Sequence, residues 1–236
     1  MIDLSVLFEA IWPSVRWIIP FLLIVKGVPL AFKARTQGWI GEKSVAKGVD
    51  SFVHGALHDV IIPDGRGGLT QIDHLLLTDS GVLVVETKSF TCRIFGSERD
   101  KTWTHRLGRR SFRIGNPLRQ NYGHIKAIET IVGEAVPVTG QVVIAGSAEF
   151  PKGMPEGTCT RREFHRRIKA GSSGGEVAPS WMEAWHEIEK QSRQDSEAVR
   201  VHRKQLEKRF GRDSRPAIGI AMILSGVIVA GWFYLV

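Results

Sequence analysis

Two apolar, strand-forming runs follow each other near the middle of the chain, separated by a short polar stretch. The first run ends at Leu75–Leu77, and the second covers Val82–Val85. Both are rich in residues that pack well in β-sheets. The residues between them, Asp79–Gly81, are types that favour a tight turn. The pattern therefore predicts a β-hairpin.

The register of this hairpin decides which polar side chains meet. If the turn is symmetric, Thr78 faces Gly81 and Asp73 faces Glu86, with the two Cβ atoms about 5 Å apart. The two-residue period of a strand then places Lys88 on the same face as Glu86. A bulged turn would shift the register by one residue. In the simpler alternative, Glu86 and Lys88 form an ion pair on a solvated face, and Asp73 is only a strand-end charge.

Opposed carboxylates beside a lysine are typical of a cation site. Like charges directly opposite each other on two strands repel, and a bound cation removes that repulsion. Mg²⁺ (or Mn²⁺) accepts oxygen ligands from one or two carboxylates, from water and from phosphate. A neighbouring ammonium group can orient a nucleophile or offset charge on a phosphoryl oxygen. Asp73, Glu86 and Lys88 are therefore candidates for phosphodiester chemistry, with the first two as metal ligands.

The last twenty residues form a strongly apolar segment. Residues 217–236 contain no charged side chain. As a helix they would span about 30 Å, the thickness of the hydrocarbon core of a bilayer. Three arginines precede the segment, which predicts that the domain before it lies on the cytoplasmic side. A buried core helix is the alternative.

The N-terminal segment is apolar as well, but charges interrupt it. Residues 4–25 are rich in Leu, Ile, Trp and Phe, while Glu9 and Arg16 lie among them. Because arginine is costly in hydrocarbon, the segment is predicted either to span the membrane or to lie along its interface. With the C-terminal segment, this predicts a membrane protein with terminal transmembrane helices.

Overall charge narrows the class of partner. The 236 residues carry a formal net charge of +8, with a sequence pI of about 9.8. This favours an anionic partner, either nucleic acid or an acidic membrane surface. Two cysteines exclude a disulfide framework and a cysteine-rich zinc cluster. The sequence leaves the oligomeric state open.

A basic and aromatic stretch follows the hairpin, between residues 90 and 113. Such interleaving can pair phosphate contacts with base stacking. The alternative is an ordinary exposed strand and loop, with Trp103 packed in the core. The candidate nucleic-acid-binding residues are Arg93, Lys101, Trp103, Arg106, Arg109 and Arg110.

Other segments predict alternating helices and strands. Helical spacing covers 41–49, with Glu42 near the start, and a strand is predicted at 56–62. Asn116 and Pro117 open a helix with an apolar stripe, and a strand follows at 141–145. A flexible linker at 171–175 and one polar helix over 181–210 complete the pattern. His74, beside Asp73 but on the opposite strand face, is predicted to pack in the core.

These pieces occur in an order that resembles the nuclease-related domain (NERD), a branch of the PD-(D/E)xK superfamily. The resemblance covers about residues 38–150. It rests on Gly41-Glu42 at a helix, Gln71-Ile72-Asp73-His74 and Glu86-Thr87-Lys88 on neighbouring strands, and Asn116-Pro117-Leu118 with Gln120-Asn121 and His124 on a later helix.

The resemblance implies an α/β restriction-endonuclease-like core, a mixed β-sheet flanked by helices. It also implies that Asp73 and Glu86 bind Mg²⁺ or Mn²⁺, and that Lys88 stabilises the transition state or positions water. Glu42 and Gln120 would complete the catalytic set from two helices.

Four segments are therefore predicted: a membrane segment (1–35), a nuclease-like domain (36–150), a basic linker with a polar helix (151–215), and a transmembrane helix (216–236). The favoured function is metal-dependent phosphodiester hydrolysis by a membrane-anchored protein that faces the cytoplasm, with DNA favoured over RNA. The alternatives are a non-catalytic nucleic-acid-binding module and a membrane scaffold that contacts anionic lipid.

Overall fold

A computed structural model describes residues 12, 13 and 15–235 of the chain. They divide into two compact units. The larger unit covers 38–210, and the smaller one combines the described residues before 38 with those after 210.

The helices and strands are numbered in chain order. The helices are α1 (Ile18–Ala46), α2 (Pro117–Val132), α3 (Arg161–Gly171), α4 (Pro179–Gln191), α5 (Ser196–Phe210) and α6 (Arg215–Leu235). The strands are β1 (Gly55–Pro63), β2 (Leu69–Thr78), β3 (Gly81–Lys88), β4 (Cys92–Phe95), β5 (Thr102–Leu107), β6 (Arg110–Gly115), β7 (Val138–Ile144), β8 (Ala148–Glu149) and β9 (Thr158–Thr160).

The main sheet is mixed, with strand order β1-β2-β3-β7-β9. Strands β1 to β3 are antiparallel, whereas β7 runs parallel to β3 and β9 parallel to β7. The hairpin pairs Thr78 with Gly81 and continues to the pair of His74 and Val85. The predicted hairpin and its symmetric turn are thereby confirmed.

Helices cover both faces of this sheet, because the central strands are apolar on both sides. Leu75 and Val84 belong to a buried cluster that includes residues of α2 and α4. Leu76 and Val85 belong to a second cluster with Val45 from α1. Near-continuous apolar runs of this kind are typical of strands buried on both faces. The mixed sheet flanked by helices confirms the α/β prediction.

A second sheet, with order β6-β5-β4-β8, continues from the end of the first. Three residues join β3 to β4 and three join β7 to β8. The parallel pairing of β3 with β7 is repeated as parallel pairing of β4 with β8. The smaller sheet therefore begins close to the carboxyl ends of β3 and β7.

Helix α1 differs from the sequence prediction of a separate helix over 41–49. It runs without a break from Ile18 to Ala46, so Glu42 lies in its last turns rather than at its start. No proline occurs between residues 30 and 46 to stop the helix. Lys43 lies in the last turn, where a positive charge is favourable.

The predicted polar helix over 181–210 is wrong in one respect, because two helices occupy that range. The break lies between α4 and α5, where Arg193 exchanges two backbone hydrogen bonds of 2.9 Å with Ile61 of β1. Asp195 then accepts a hydrogen bond of 2.9 Å from the backbone N–H of Ala198, at the start of α5. Pairing with a distant strand ends the first helix.

Close contact between helices characterises the smaller unit. A Cβ added to Gly27 of α1 would lie 2.8 Å from the carbonyl oxygen of Gly219 of α6. One added to Gly226 would lie 2.9 Å from the carbonyl of Pro20. Small residues that let two helix backbones approach are common between helices in membranes.

One helix in the described part of the chain is long and apolar enough to cross a membrane. It is α6, with 21 residues and a mean hydropathy of 2.1. The predicted N-terminal span does not pass this test of length and hydropathy within the described residues. Residues 4–11 and 14 of that segment lie outside the described residues, and α1 does not meet both criteria.

The two cysteines differ in exposure, which predicts different reactivity. Cys92 is exposed, whereas Cys159 is buried and burial raises its pKa to about 11. Because the thiolate is the reactive form, iodoacetamide should modify Cys92 and spare Cys159 in the native protein. Mass spectrometry of the labelled chain checks this. Native labelling should disappear in Cys92→Ser, and a labelled Cys159 under native conditions would contradict the buried position.

Candidate active site

The candidate site begins where β2 and β3 stop pairing. Backbone pairing ends at His74 and Val85. The next contact between the two strands is made by the Asp73 side chain, whose Oδ2 accepts a hydrogen bond of 2.7 Å from the backbone N–H of Thr87. Asp73 continues the face of β2 that carries Leu75, which packs toward α2. The Asp73 carboxylate therefore lies where the backbone hydrogen bonds between β2 and β3 end.

Glu86 is the buried centre of the site, with 2% of its surface exposed. The Lys88 ammonium lies 2.5 Å from Oε1. Nε2 of His124 lies 3.2 Å from Oε2, within ion-pair distance but without a hydrogen bond. Oε2 therefore has no hydrogen-bond donor among the described residues. A buried carboxylate oxygen without a donor is costly unless another group contacts it.

Helix α2 supplies the polar side chains opposite β3. Oε1 of Gln120 accepts a hydrogen bond of 3.1 Å from Lys88. The helix begins at the predicted cap, where Oδ1 of Asn116 accepts a 2.9 Å hydrogen bond from the N–H of Leu118. The amide of Asn116 also donates to backbone carbonyls of the loop before β5, including that of Asp100 at 2.7 Å. This cap ties the start of α2 to the smaller sheet.

His124 and Thr70 complete the polar cluster, and the sequence prediction left both out of the site. Nδ1 of His124 lies 3.0 Å from the Thr70 hydroxyl oxygen. Nε2 of the same ring lies 3.4 Å from the Gln120 amide nitrogen. Gln120 and His124 are four residues apart and so share one face of α2. That spacing was the available signal for His124, whereas Thr70 carried none.

Burial and charge act in opposite directions on the two carboxylates of the hairpin. Burial, reinforced by repulsion from Glu86, raises the pKa of Asp73 well above its usual value. Burial alone would raise the pKa of Glu86 too, but His124 and Lys88 outweigh it and lower that pKa overall. Neighbouring acids with pKa values pushed apart are typical of catalytic sites.

Glu42 reaches the same electrostatic environment from α1. Burial raises its pKa, and the negative charges of Asp59 and Glu86 raise it further, while Lys88 lowers it. Its charge also contributes to the raised pKa of Asp73. The structure thus brings Glu42, Asp73, Glu86, Lys88 and Gln120 into one region.

The carboxylates of the site suit Mg²⁺ better than a metal that is held entirely by protein ligands. Among the described residues, no group of three or more His, Cys, Asp or Glu is arranged to hold a metal. Mg²⁺, however, is usually held by one or two carboxylates, with water and phosphate oxygens as its remaining ligands. Asp73 and Glu86 provide two carboxylates, and Oε2 of Glu86 is buried without a donor. These residues fit the ion that the fold family implies.

A second polar network lies behind the site, on the opposite face of β2. Nε2 of His74 lies 3.2 Å from the Thr87 hydroxyl oxygen, and its Nδ1 lies 2.9 Å from Nδ1 of His58. Nε2 of His58 lies 3.0 Å from Asp50. Burial and the neighbouring His58 lower the pKa of His74 to about 3. His74 is therefore a neutral, buried histidine.

The predicted nucleic-acid-binding residues lie on the smaller sheet, outside the acidic site. Trp103 is fully buried and donates a 2.9 Å hydrogen bond from its indole N–H to the Ser97 carbonyl. The prediction that Trp103 stacks on bases is therefore wrong, because its ring belongs to the core. The other five predicted residues are exposed: Arg93, Lys101, Arg106, Arg109 and Arg110.

Comparison with known proteins identifies the segment that holds this site. Residues 37–145 match the family model of the nuclease-related domain. An uncharacterized protein of Bacillus anthracis is 38% identical over 131 residues, which are 56% of this chain and 60% of the relative. The chain thus spans less than two thirds of the length of that relative. No solved structure matches the chain. The chain therefore contains a nuclease-related domain over residues 37–145, of the PD-(D/E)xK-like nuclease superfamily.

Proposed function

We propose that the larger unit is a Mg²⁺-dependent nuclease that hydrolyses phosphodiester bonds, with DNA as the favoured substrate. One observation carries the proposal: Lys88 contacts both the buried Glu86 and Gln120, while Asp73 lies at the adjoining end of β2. Repelling carboxylates reduce stability and a pure binding module does not need them, so their position beside a lysine favours a catalytic role.

The side chains have distinct roles in this proposal. Asp73 and Glu86 would hold the ion, which when bound polarises a phosphate oxygen and activates water. Lys88 donates a hydrogen bond to the attacking water or offsets negative charge on the phosphate in the transition state. Gln120 orients the Lys88 ammonium through their 3.1 Å hydrogen bond. His124 contacts Glu86 on the side away from Lys88 and limits its rotation.

We further propose that α6 anchors the protein in a membrane and that the nuclease-like unit faces the cytoplasm. The length and apolar character of α6 support the anchor. The arginines before it, Arg209, Arg212 and Arg215, support the orientation, because basic residues flank spans on the cytoplasmic side.

The proposed activity is tested by cleavage of a labelled DNA duplex by the full chain in neutral detergent micelles with Mg²⁺. Lys88→Ala and Asp73→Asn should each lower the rate by about 10²-fold to 10³-fold, the cost of removing one transition-state contact. Lys47→Ala and Glu183→Gln remove exposed charges elsewhere and should leave the rate unchanged.

Each outcome of this assay has a clear meaning. Loss of cleavage in the two site variants, with both controls active, supports the proposal. Equal rates in all five proteins would overturn it. Salt-sensitive binding of nucleic acid with no cleavage by any of them would favour the binding-module alternative.

A further inference from the structure

The pairing of β4, β5 and β6 sorts the basic residues of the smaller sheet onto two faces. Arg93 lies directly opposite Arg106, so their side chains share a face. Arg106 in turn lies opposite Ser111, and Arg113, two residues further along β6, is on that face too. We call Arg93, Arg106 and Arg113 the arginine face. Arg110 lies on the other face, and the sequence prediction did not include Arg113.

Positive charge on the arginine face is largely uncompensated. Arg93 and Arg106, directly opposed on two strands, repel each other. Arg93 lies 3.4 Å from Glu149, but both side chains are more than half exposed, so this pair contributes little. Within the described part of the chain, neither Arg106 nor Arg113 forms an ion pair. An external anion would relieve the repulsion.

The arginine face lacks an exposed aromatic surface on which bases could stack. Trp103 points to the opposite face and is buried. Phe112 is half exposed, but it pairs with His105 and so belongs to the Trp103 face. Phe95 lies on the arginine face and is only partly exposed. Proteins that bind single strands combine positive charge with stacking aromatics, whereas contact with a duplex backbone needs charge alone.

The arginine face also lies within a short distance of the candidate site along the chain. Arg93 comes five positions after Lys88, so their Cα atoms are at most about 18 Å apart. The connection is held in place, since Nε2 of His105 lies 2.6 Å from the Thr91 carbonyl oxygen. The cap at Asn116 joins the other side of the smaller sheet to the helix that carries Gln120.

We propose that the arginine face binds the phosphate backbone of a double-stranded nucleic acid and holds the duplex against the acidic site at the end of β3. This inference rests on the proposed nuclease function, and it adds the strandedness of the substrate and the surface that binds it. Because the contacts are made to phosphates, the face contributes affinity and little sequence preference.

Binding of a fluorescent duplex to the full chain in neutral detergent micelles, as a function of salt, tests this proposal. The parent protein carries Asp73→Asn, so that cleavage of the duplex is about 10²-fold to 10³-fold slower during the measurement. The test variant adds Arg93→Gln, Arg106→Gln and Arg113→Gln. Each lost phosphate contact lowers the slope of log K against log salt by about 0.9, so the triple variant should lose about 2.7. Between 50 and 200 mM salt, its affinity should therefore fall about 40-fold less than that of the parent.

Two matched variants separate the arginine face from charge and from misfolding. Lysine at the same three positions keeps the charges and should keep the salt slope of the parent. Alanine in place of three exposed basic residues of α5, Arg203, Lys204 and Lys208, removes the same charge elsewhere and should change the slope by less than about one. If the slope of this control falls as much as that of the triple variant, net charge and not the arginine face binds the duplex.

The remaining outcomes distinguish this inference from the proposed function. A duplex should bind more tightly than a single strand of its sequence, and a preference for the single strand would overturn the inference. An unchanged salt slope, with weaker binding to phosphatidylserine vesicles, would assign the face to lipid instead. If the face binds duplex but the natural chain does not cleave it, the nuclease proposal alone fails. If the natural chain cleaves the duplex but the triple variant keeps the salt slope of its parent, the inference alone fails.

Discussion

Asp73→Asn is expected to stabilise the protein in the absence of divalent ions and to abolish its stabilisation by Mg²⁺. Burial and Glu86 raise the pKa of Asp73 above its usual value, so the fold disfavours the ionised form. The cost of ionisation is absent below the ordinary pKa of aspartate and grows as pH rises through the folded-state pKa. Asparagine has no such cost, and its carbonyl can still accept the hydrogen bond from Thr87.

With Mg²⁺ bound, the natural protein is expected to be the more stable of the two. A ligand at 100 times its dissociation constant stabilises the folded state by about 2.7 kcal/mol. For a unit of this size, that corresponds to a rise in melting temperature of about 5–10 °C. Asp73→Asn should show little of this rise, because one of the two carboxylates is gone.

Thermal melts of both proteins, with Mg²⁺ and with EDTA, measure these effects in detergent micelles. Glu183→Gln, an exposed carboxylate on α4, serves as the control and should respond to Mg²⁺ as the natural chain does. An equal shift in Asp73→Asn would mean that Asp73 does not bind the ion. A lower melting temperature of that variant in EDTA would contradict the raised pKa.

Trp103→Ala should destabilise the larger unit by about 3–5 kcal/mol, the usual cost of emptying a buried tryptophan site. Trp103 is fully buried, its indole N–H donates to Ser97, and its ring meets Phe150 edge-on at 6.2 Å. A Cβ added to Gly96 would lie 2.1 Å from the ring, so the site is closely packed. Removal of the ring therefore leaves a cavity and takes from the Ser97 carbonyl one of its two hydrogen bonds, the other being from Asn116.

Urea unfolding followed by circular dichroism measures this effect, and Phe112→Ala is the matched control. Phe112 lies on the same sheet but is half exposed, so its loss should cost about 1 kcal/mol or less. If the two variants lose equal stability, Trp103 is not the core residue described above. If Trp103 stacked on bases instead, Trp103→Ala would weaken nucleic-acid binding and leave stability unchanged.

The sequence predicted the hairpin well because its register depends on local rules. A strand period of two and a symmetric turn were enough to place Asp73 near Glu86 and to align Lys88 with Glu86. The helix that carries Gln120 was predicted for the same reason, since its cap and its proline are local signals. These elements carry most of the candidate site.

Sequence reasoning failed where distant segments decide local structure. Near Ser192 the cap residue Asp195 is a local signal for a new helix, but the break itself arises from backbone pairing of Arg193 with Ile61 on β1. The start of the predicted helix at Gly41 was wrong for a related reason, since no stop signal separates it from the apolar helix before it. The burial of Trp103 could not be predicted either, because it depends on distant residues that pack against its ring, such as Phe150.

By itself, then, the amino-acid sequence determined the hairpin of β2 and β3, the strands β1 and β7, the helix cap and the set of acidic and basic residues, all of which follow from local patterns along the chain. Only the tertiary structure decided that His124 contacts Glu86 and that Arg93 faces Arg106. The physical reason is that burial, pKa shifts and repulsion between like charges depend on distances in space between residues that are far apart in sequence.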